Sequence, residues 1–233
     1  MTWSILARNP KTHELGVAVA TRFFAVGAVC PRVEGGVGAI ATQALVNPLF
    51  APDGLARLRG GETPEAALQA LVAADAGRDH RQLHILAADG RMARHTGEAC
   101  VPWCGGVAGP DVSVAGNMLA GPQVVEATLA AYLAHAGQPM ALRLIAALEA
   151  GEAAGGDKRG KQSAALQVAR LDPYPDLDIR VDDHPDPLAE LRRLHAVAEA
   201  RYVHLRRFLP GRDHPGVFDR AVIEAAILAA TRA

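Results

Sequence analysis

Apolar residues dominate several short segments in the first 45 residues, and this pattern predicts β-strands. A polar, turn-forming segment at 9–14 separates the apolar segments 3–8 and 15–21, which indicates a hairpin. Segments 28–33 and 37–42 predict two further strands. Because these segments are almost entirely small or apolar instead of alternating with polar residues, we expect both faces of their sheet to be covered.

The hydrophobic period changes to that of a helix after residue 62. Thr63 is predicted to be the N-cap of this helix, with Pro64 as its first residue. Two more helices are predicted to open at Pro122 and Pro139. The other predicted elements are a hairpin over 83–95, strands at 111–115, 164–170 and 178–182, and helices from 187 onward and over 217–230.

This order of elements predicts an α+β protein in which two stacked sheets are covered by helices. The chain has 233 residues, of which 50% are hydrophobic, and that is enough for one sizeable core. We therefore expect one main domain over residues 1–186 and a C-terminal helical extension over 187–233 that packs on the same domain.

Charge and hydropathy exclude several classes of function. The net charge is −1 and no basic run stands out, so we do not expect a nucleic-acid partner. No apolar stretch reaches the length of a membrane span, and the N-terminus lacks the features of a signal peptide, which predicts a cytoplasmic protein. Apolar stripes on the helices after Pro187 are compatible with an interface in a homo-oligomer.

The cysteines and the acidic clusters give no firm metal site. The three cysteines are an odd number without framework spacing, which argues against a disulfide scaffold. Cys100 and Cys104 have only His95 nearby as a third zinc ligand. The acidic segment 182–186 either binds a divalent cation or ends a strand and caps the next helix. We predict neither a metal nor a cofactor.

Thr2 is the first candidate for catalysis. A hydroxyl is a weak nucleophile that needs a base, and a free N-terminal amine with a pKa of about 7.7–8.0 would supply one. The chemistry therefore requires removal of Met1, and threonine is small enough for an aminopeptidase to do this. The alternative interpretation is that Thr2 is simply the second residue of an edge strand.

Further candidates offer polar groups at the predicted strand ends. The amides of Asn117 and Gln43 either donate to an oxyanion or cap turns. Asp157 is predicted to orient the nucleophile or a guanidinium, and Ser163 is a second hydroxyl and a fallback nucleophile. His95 is either a general acid or base, or a hairpin residue that hydrogen-bonds its loop.

Arginines are the available cations near these positions. Arginine stays charged and cannot act as a base, but it can bind a carboxylate group. Arg22 and Arg159 therefore favour a small anionic substrate or ligand.

The layout resembles the N-terminal-nucleophile (Ntn) hydrolase fold, whose best-known members are proteasome β-subunits. More specifically, the motifs are similar to those of domain-of-unknown-function family 1028. The matching stretches are 22–27, 41–44, 95–97, 116–121, 155–166 and 182–185. The resemblance implies a four-layer αββα sandwich of two stacked antiparallel sheets, with C-terminal helices.

The same resemblance implies roles for particular residues. Thr2 matches the catalytic threonine at the start of the first strand, and Asp157 matches the supporting acidic residue. Backbone near Thr42 and Gln43 matches the part that stabilises an oxyanion, whereas the lysine of proteasome subunits has no counterpart. We expect a hydrolase of C–N bonds in a small amide, ureide or acylated amino compound. The alternatives are a non-catalytic protein that binds small anions and an oligomeric assembly protein.

Overall fold

The computed structural model describes residues 2–231, which form a mixed α+β fold with two antiparallel sheets and seven helices. The strands are β1 (Thr2–Asn9), β2 (Glu14–Thr21), β3 (Pro31–Glu34), β4 (Gly38–Ala44), β5 (Arg81–Ala87), β6 (Met92–Thr96), β7 (Gly105–Gly109), β8 (Val112–Asn117), β9 (Ser163–Ala169) and β10 (Leu177–Val181). The helices are α1 (Phe50–Arg59), α2 (Pro64–Ala74), α3 (Gln123–Ala134), α4 (Met140–Ala153), α5 (Pro187–Ala200), α6 (Tyr202–Leu205) and α7 (Arg220–Thr231). None of these helices is long and apolar enough to cross a lipid bilayer.

The larger sheet has six strands in the order β10-β9-β2-β1-β8-β7, and the smaller sheet has four in the order β3-β4-β5-β6. Strand register in the larger sheet places polar residues side by side at one end. Thr2 lies opposite Thr21 on β2 and opposite Asn117 on β8, and Thr21 lies opposite Ser163 on β9. Four polar side chains, all buried, therefore form a row across neighbouring strands.

Side chains of successive strand residues point to opposite faces, and this alternation divides the core into three apolar clusters. Trp3 and Ile5 of β1 pack in a cluster with residues of α3, α4 and α5. Leu6, on the other face of β1, packs in a cluster that also contains Leu86 of the smaller sheet. The third cluster lies between the smaller sheet and helices α1 and α2. Both sheets thus have one face against each other and one face against helices.

The predicted α+β class with two antiparallel sheets is confirmed. Thr63 is the N-cap of α2, as predicted, and its hydroxyl accepts a hydrogen bond from the N–H of Ala66 at 3.2 Å. Asp186 caps α5 by accepting from the N–H of Ala189 at 3.3 Å, so the acidic segment before this helix supplies its cap.

The strand predicted over 28–33 is wrong in its first half, because Ala28 ends a turn of 3-10 helix (Val26–Ala28), Val29 and Cys30 form a turn and a bend, and β3 begins only at Pro31. Ala25 adopts a left-handed backbone with φ of 52°, and the following N–H groups bond to carbonyls within this turn. Helix α1 was not predicted because it contains Pro52 and Gly54, although a proline is tolerated in a first helical turn. Strand β7 was not predicted because three of its five residues are glycines.

Close contact between α4 and β1 makes Gly151 sensitive to substitution. A Cβ at this position would clash with Oγ1 of Thr128 and lie 2.7 Å from Nε1 of Trp3, and both of these side chains are fully buried. We expect Gly151→Ala to lower the free energy of unfolding by about 1–3 kcal/mol, because the rigid indole has no space to move.

Urea denaturation of matched glycine-to-alanine variants measures this effect. Gly137→Ala is the control, since a Cβ there meets nothing within 4 Å. This control should be neutral or stabilising by up to about 1 kcal/mol. Equal stability of the two variants would contradict the assigned packing of α4 on β1.

Candidate active site

The row of polar residues lies beside a pocket of about 530 Å³. Thr2 and Thr21 of the larger sheet line one part of it, and Thr42 and Gln43 of the smaller sheet line another. The other lining residues are Phe23, Val26, Val29, Cys30, Ala44, Leu45, Val46, Arg81, Met118 and Arg159. Polar strand ends and apolar loop residues thus meet in one concave site, as is typical of small-molecule pockets.

The hydroxyl of Thr2 is held where the pocket meets the sheet. Its Oγ1 lies 3.1 Å from Oγ1 of Thr21, and either hydroxyl can be the donor. Thr2 is only 8% exposed, so its position is set by the strand and not by solvent. β-pairing of Thr2 with both Thr21 and Asn117 fixes the backbone on each side.

A buried hydrogen-bond network supports Thr2 from between the sheets. Oε1 of Gln82 accepts from Nε2 of Gln43 at 2.7 Å and from Nδ2 of Asn117 at 3.1 Å. Nε2 of Gln82 donates to the carbonyl of Gly116 at 2.8 Å. Nε2 of Gln43 also lies 3.5 Å from the carbonyl oxygen of Thr2. The amides on both sides of Thr2 are therefore oriented by one glutamine.

His84 continues this network away from the pocket. Its Nε2 lies 2.8 Å from Oγ of Ser4, and its Nδ1 lies 3.0 Å from Oγ of Ser113. Burial, with a smaller contribution from the charge of Arg94, lowers the pKa of His84 to about 3. The imidazole is therefore neutral at physiological pH, with one ring nitrogen donating a hydrogen bond and the other accepting one. Its role is to position Ser4, whose hydroxyl in turn donates to Gln43.

Asp157 holds the loop that follows Thr21. Its carboxylate accepts from the backbone N–H of Arg22 at 2.8 Å and from that of Arg159 at 2.8 Å. The guanidinium of Arg159 completes an ion pair with it at 3.1 Å. Because the Asp157 side chain is fully buried, this carboxylate is a fixed part of the site and not a solvated surface charge.

Ser163 is occupied by the same loop. Its hydroxyl donates to the carbonyl of Phe23 at 2.5 Å and accepts from the N–H of Val26 at 3.1 Å. These bonds join β9 to the pocket wall that contains Phe23 and Val26. Ser163 therefore positions the wall and does not line the pocket.

Left-handed backbone occurs repeatedly around the pocket. Two lining residues, Ala44 and Met118, have φ values of 70° and 54°. Ala25, between the lining residues Phe23 and Val26, has a φ of 52°. Such conformations are costly for residues other than glycine and tend to gather at functional sites. Their clustering supports this pocket as the place where the protein acts.

The structure brings most of the predicted site residues together. Thr2, Thr42, Gln43 and Arg159 line the pocket. The others near it are in contact with lining residues or adjacent to them: Asn117, Asp157, Ser163 and Arg22.

His95 does not line the pocket, and its Nε2 lies 2.9 Å from the carbonyl of Arg78, which is the hairpin arrangement that the sequence left open. The guanidinium of Arg22 is exposed and does not contact Asp157; its backbone N–H does. Met1, whose removal the mechanism needs, lies outside the described residues.

Residues that sequence reasoning missed include Gln82, His84 and Thr21. Their signal was present in β5, where polar Gln82 and His84 alternate with apolar Leu83 and Ile85. Cys30 also lines the pocket, but burial raises the pKa of its thiol, which stays protonated and unreactive. Among residues 2–231, no three His, Cys, Asp or Glu side chains are grouped to hold a metal ion.

Comparisons with known proteins give a family but no activity. A family described as "Family of unknown function (DUF1028)" matches residues 2–191. The crystal structure of protein SPO2555 from Silicibacter pomeroyi, whose title names the same family, is similar with a TM-score of 0.86 and 33% sequence identity. The match covers 94% of this chain and 99% of that one. No curated protein matches.

Because His84 is buried in its neutral form, the free energy of unfolding should fall as the pH is lowered. The unfolded imidazole, with a pKa near 6.5, binds a proton that the folded one, with a pKa of about 3, does not. As pH falls from 6.5 towards 3, we expect this group to cost stability at up to about 1.4 kcal/mol per pH unit, with no effect above that window.

Nuclear magnetic resonance of the imidazole ring checks the cause directly. The ring resonances of His84 should stay constant from about pH 7 to about pH 4.5 in the folded protein. A titration of these resonances with a midpoint above about pH 5 would show that the network does not keep the ring neutral.

Proposed function

The chain belongs to the DUF1028 family, whose function is unknown, and we propose that it hydrolyses C–N bonds with Thr2 as an N-terminal nucleophile. Its substrate would be a small amide, ureide or acylated amino compound. The observation that carries this proposal is the position of Thr2, whose buried hydroxyl lies against Thr21 in the wall of the 530 Å³ pocket.

The fold supports the proposal. We propose that the two sheets and their covering helices form the four-layer αββα sandwich of the Ntn hydrolases. In agreement with that assignment, β1 lies in the interior of the larger sheet, between β2 and β8. The nucleophile would then be the first residue of a rigid central strand, which restricts its position more than a loop would.

The proposed chemistry keeps base and nucleophile in one residue. After removal of Met1, the free amine of Thr2 takes the hydroxyl proton while Oγ1 forms a bond to the carbonyl carbon. The tetrahedral intermediate then breaks its C–N bond, and the leaving amine takes the proton. Water hydrolyses the resulting ester, which releases the acid and restores the hydroxyl and the amine of Thr2.

The surrounding residues would stabilise this reaction. Nδ2 of Asn117 uses one N–H for Gln82, and an amide nitrogen has a second one to offer an oxyanion. The backbone of Thr42 and Gln43 is the other proposed donor region. Ser163 is a poorer nucleophile than Thr2, because its hydroxyl is fully buried and bonded to Phe23 and Val26.

A binding protein for small anions is a second candidate, and the charge of the pocket favours it. Of the described lining residues, two are arginines and none is acidic. If Met1 is retained, the nitrogen of Thr2 is part of a peptide bond and cannot act as a base. The same pocket would then bind a ligand without converting it.

Substitutions at Thr2 test the proposed hydrolysis. Thr2→Ala should reduce turnover of a responsive amide by at least about a thousand-fold, because it removes the nucleophile. Thr2→Ser should retain measurable turnover, since it keeps both hydroxyl and amine. The measurement is the release of free amine from a panel of simple amides, ureides and N-acyl amino acids.

Two further variants serve as controls. Thr12→Ala removes an exposed hairpin hydroxyl and should leave turnover unchanged. Ser163→Ala should reduce turnover only in part. It removes the hydroxyl that positions the Phe23 loop, but it leaves the proposed nucleophile in place. If Thr2→Ala keeps full activity while Ser163→Ala loses it, Thr2 is not the nucleophile.

A further inference from the structure

The two arginines of the pocket differ in how much of each guanidinium is used by its neighbours. Nε of Arg81 donates to Oδ2 of Asp75 at 2.8 Å, and its Nη1 donates to the carbonyl of Leu45 at 2.6 Å. The Arg81 side chain is only 20% exposed. Arg81 is thus committed to holding the Leu45 loop.

The guanidinium of Arg159 has hydrogen-bond donors that its neighbours do not use. Its Nη2 and Nε lie 3.1 and 3.4 Å from the Asp157 carboxylate, and its side chain is 44% exposed. Among the described residues, no acceptor bonds to Nη1 of Arg159. Asp157 already accepts from two backbone N–H groups, so the ion pair leaves Arg159 anchored but not saturated. An anchored guanidinium with an unused edge is suited to bind a carboxylate.

Positive charge next to Arg159 is reinforced from the preceding loop. Nη1 of Arg22 lies 3.4 Å from the carbonyl oxygen of Arg159, so a second guanidinium is close to the pocket mouth. With Asp157 neutralising one of these two charges, this corner of the site carries an excess positive charge.

The lining also includes large apolar side chains that are exposed to water. Phe23 is 56% exposed and Leu45 is 62% exposed, although both line the pocket. Large apolar side chains exposed together at a concave site are typical of a surface that a ligand covers. The remaining apolar lining consists of Val26, Val29, Cys30, Ala44, Val46 and Met118.

We propose that the substrate of this pocket is a small amide that carries both a carboxylate, bound by Arg159, and an aliphatic or aromatic group, bound by the Phe23 and Leu45 wall. An N-acylated amino acid with an apolar side chain has this chemistry. The inference rests on the proposed function, from which it takes Thr2 as the residue that cleaves the amide bond. The recognition of the carboxylate is assigned to Arg159 and is tested without turnover.

Binding to the inactive Thr2→Ala protein separates recognition from catalysis. The probes are N-acetyl-leucine and its neutral counterpart N-acetyl-leucinamide, compared by isothermal titration calorimetry. We expect the acid to bind at least ten-fold more tightly than the amide. Arg159→Met should remove this preference by weakening the acid roughly ten- to hundred-fold while leaving the amide unchanged.

Matched variants keep the test specific. Arg159→Lys should retain part of the preference, because it keeps the charge but loses the planar guanidinium. Arg192→Met is the control, since Arg192 is similarly exposed, also forms an ion pair, and does not line the pocket. It should leave both affinities unchanged.

The outcomes distinguish the two proposals. Equal affinity for acid and amide, binding of neither, or a preference that survives Arg159→Met would overturn the inference. Thr2-dependent hydrolysis of neutral amides only would overturn it as well, but would leave the proposed function intact. Tight, Arg159-dependent binding of the acid to a protein that hydrolyses no amide would support carboxylate recognition by Arg159 and reject the hydrolase.

Discussion

The buried amide of Gln82 joins the two sheets behind Thr2, and the arrangement of the site depends on it. Its oxygen accepts from Gln43 of the smaller sheet and from Asn117 of the larger one, while its nitrogen donates to Gly116. Removal of this amide would leave buried donors and acceptors without partners, at about 1–3 kcal/mol for each group. Because the groups it orients flank Thr2 on both sides, a change at Gln82 would reach the pocket without touching a ligand.

The same network and the apolar core specify one strand register. Gln82 and His84 face the larger sheet because Leu83 and Ile85 of the same strand pack toward α1 and α2. If β5 slipped by one residue against its neighbours, Gln82 would be buried against the helices and Leu83 would face the polar network. Each of these changes would be unfavourable, and the slip would cause both. The space between the sheets is thus apolar around Leu6 and polar near the pocket, and the boundary between the two regions is set by register.

Much of the fold was predictable from local patterns, whereas the supporting network was not. Strand segments, the N-cap at Thr63 and the pocket residue Arg159 follow from sequence because each has a local signal. Gln82 also had a local signal, the alternation of polar and apolar residues within β5. Its role in the site, however, comes from partners on β4 and β8 that are 39 and 35 residues away in the sequence. His95 shows the converse, since a histidine beside a glycine turn gave a local signal, yet the fold places its imidazole on a carbonyl away from the pocket.

The most direct test of the account is the mass of the intact protein made in a cytosol, read together with its N-terminal sequence. The proposed mechanism needs the amine of Thr2, so the account predicts a chain that lacks Met1 and begins with threonine. A chain that retains Met1 would contradict the nucleophile assignment, because the nitrogen of Thr2 would be an amide without basicity. The pocket around Arg159 would then be a binding site and not an active site.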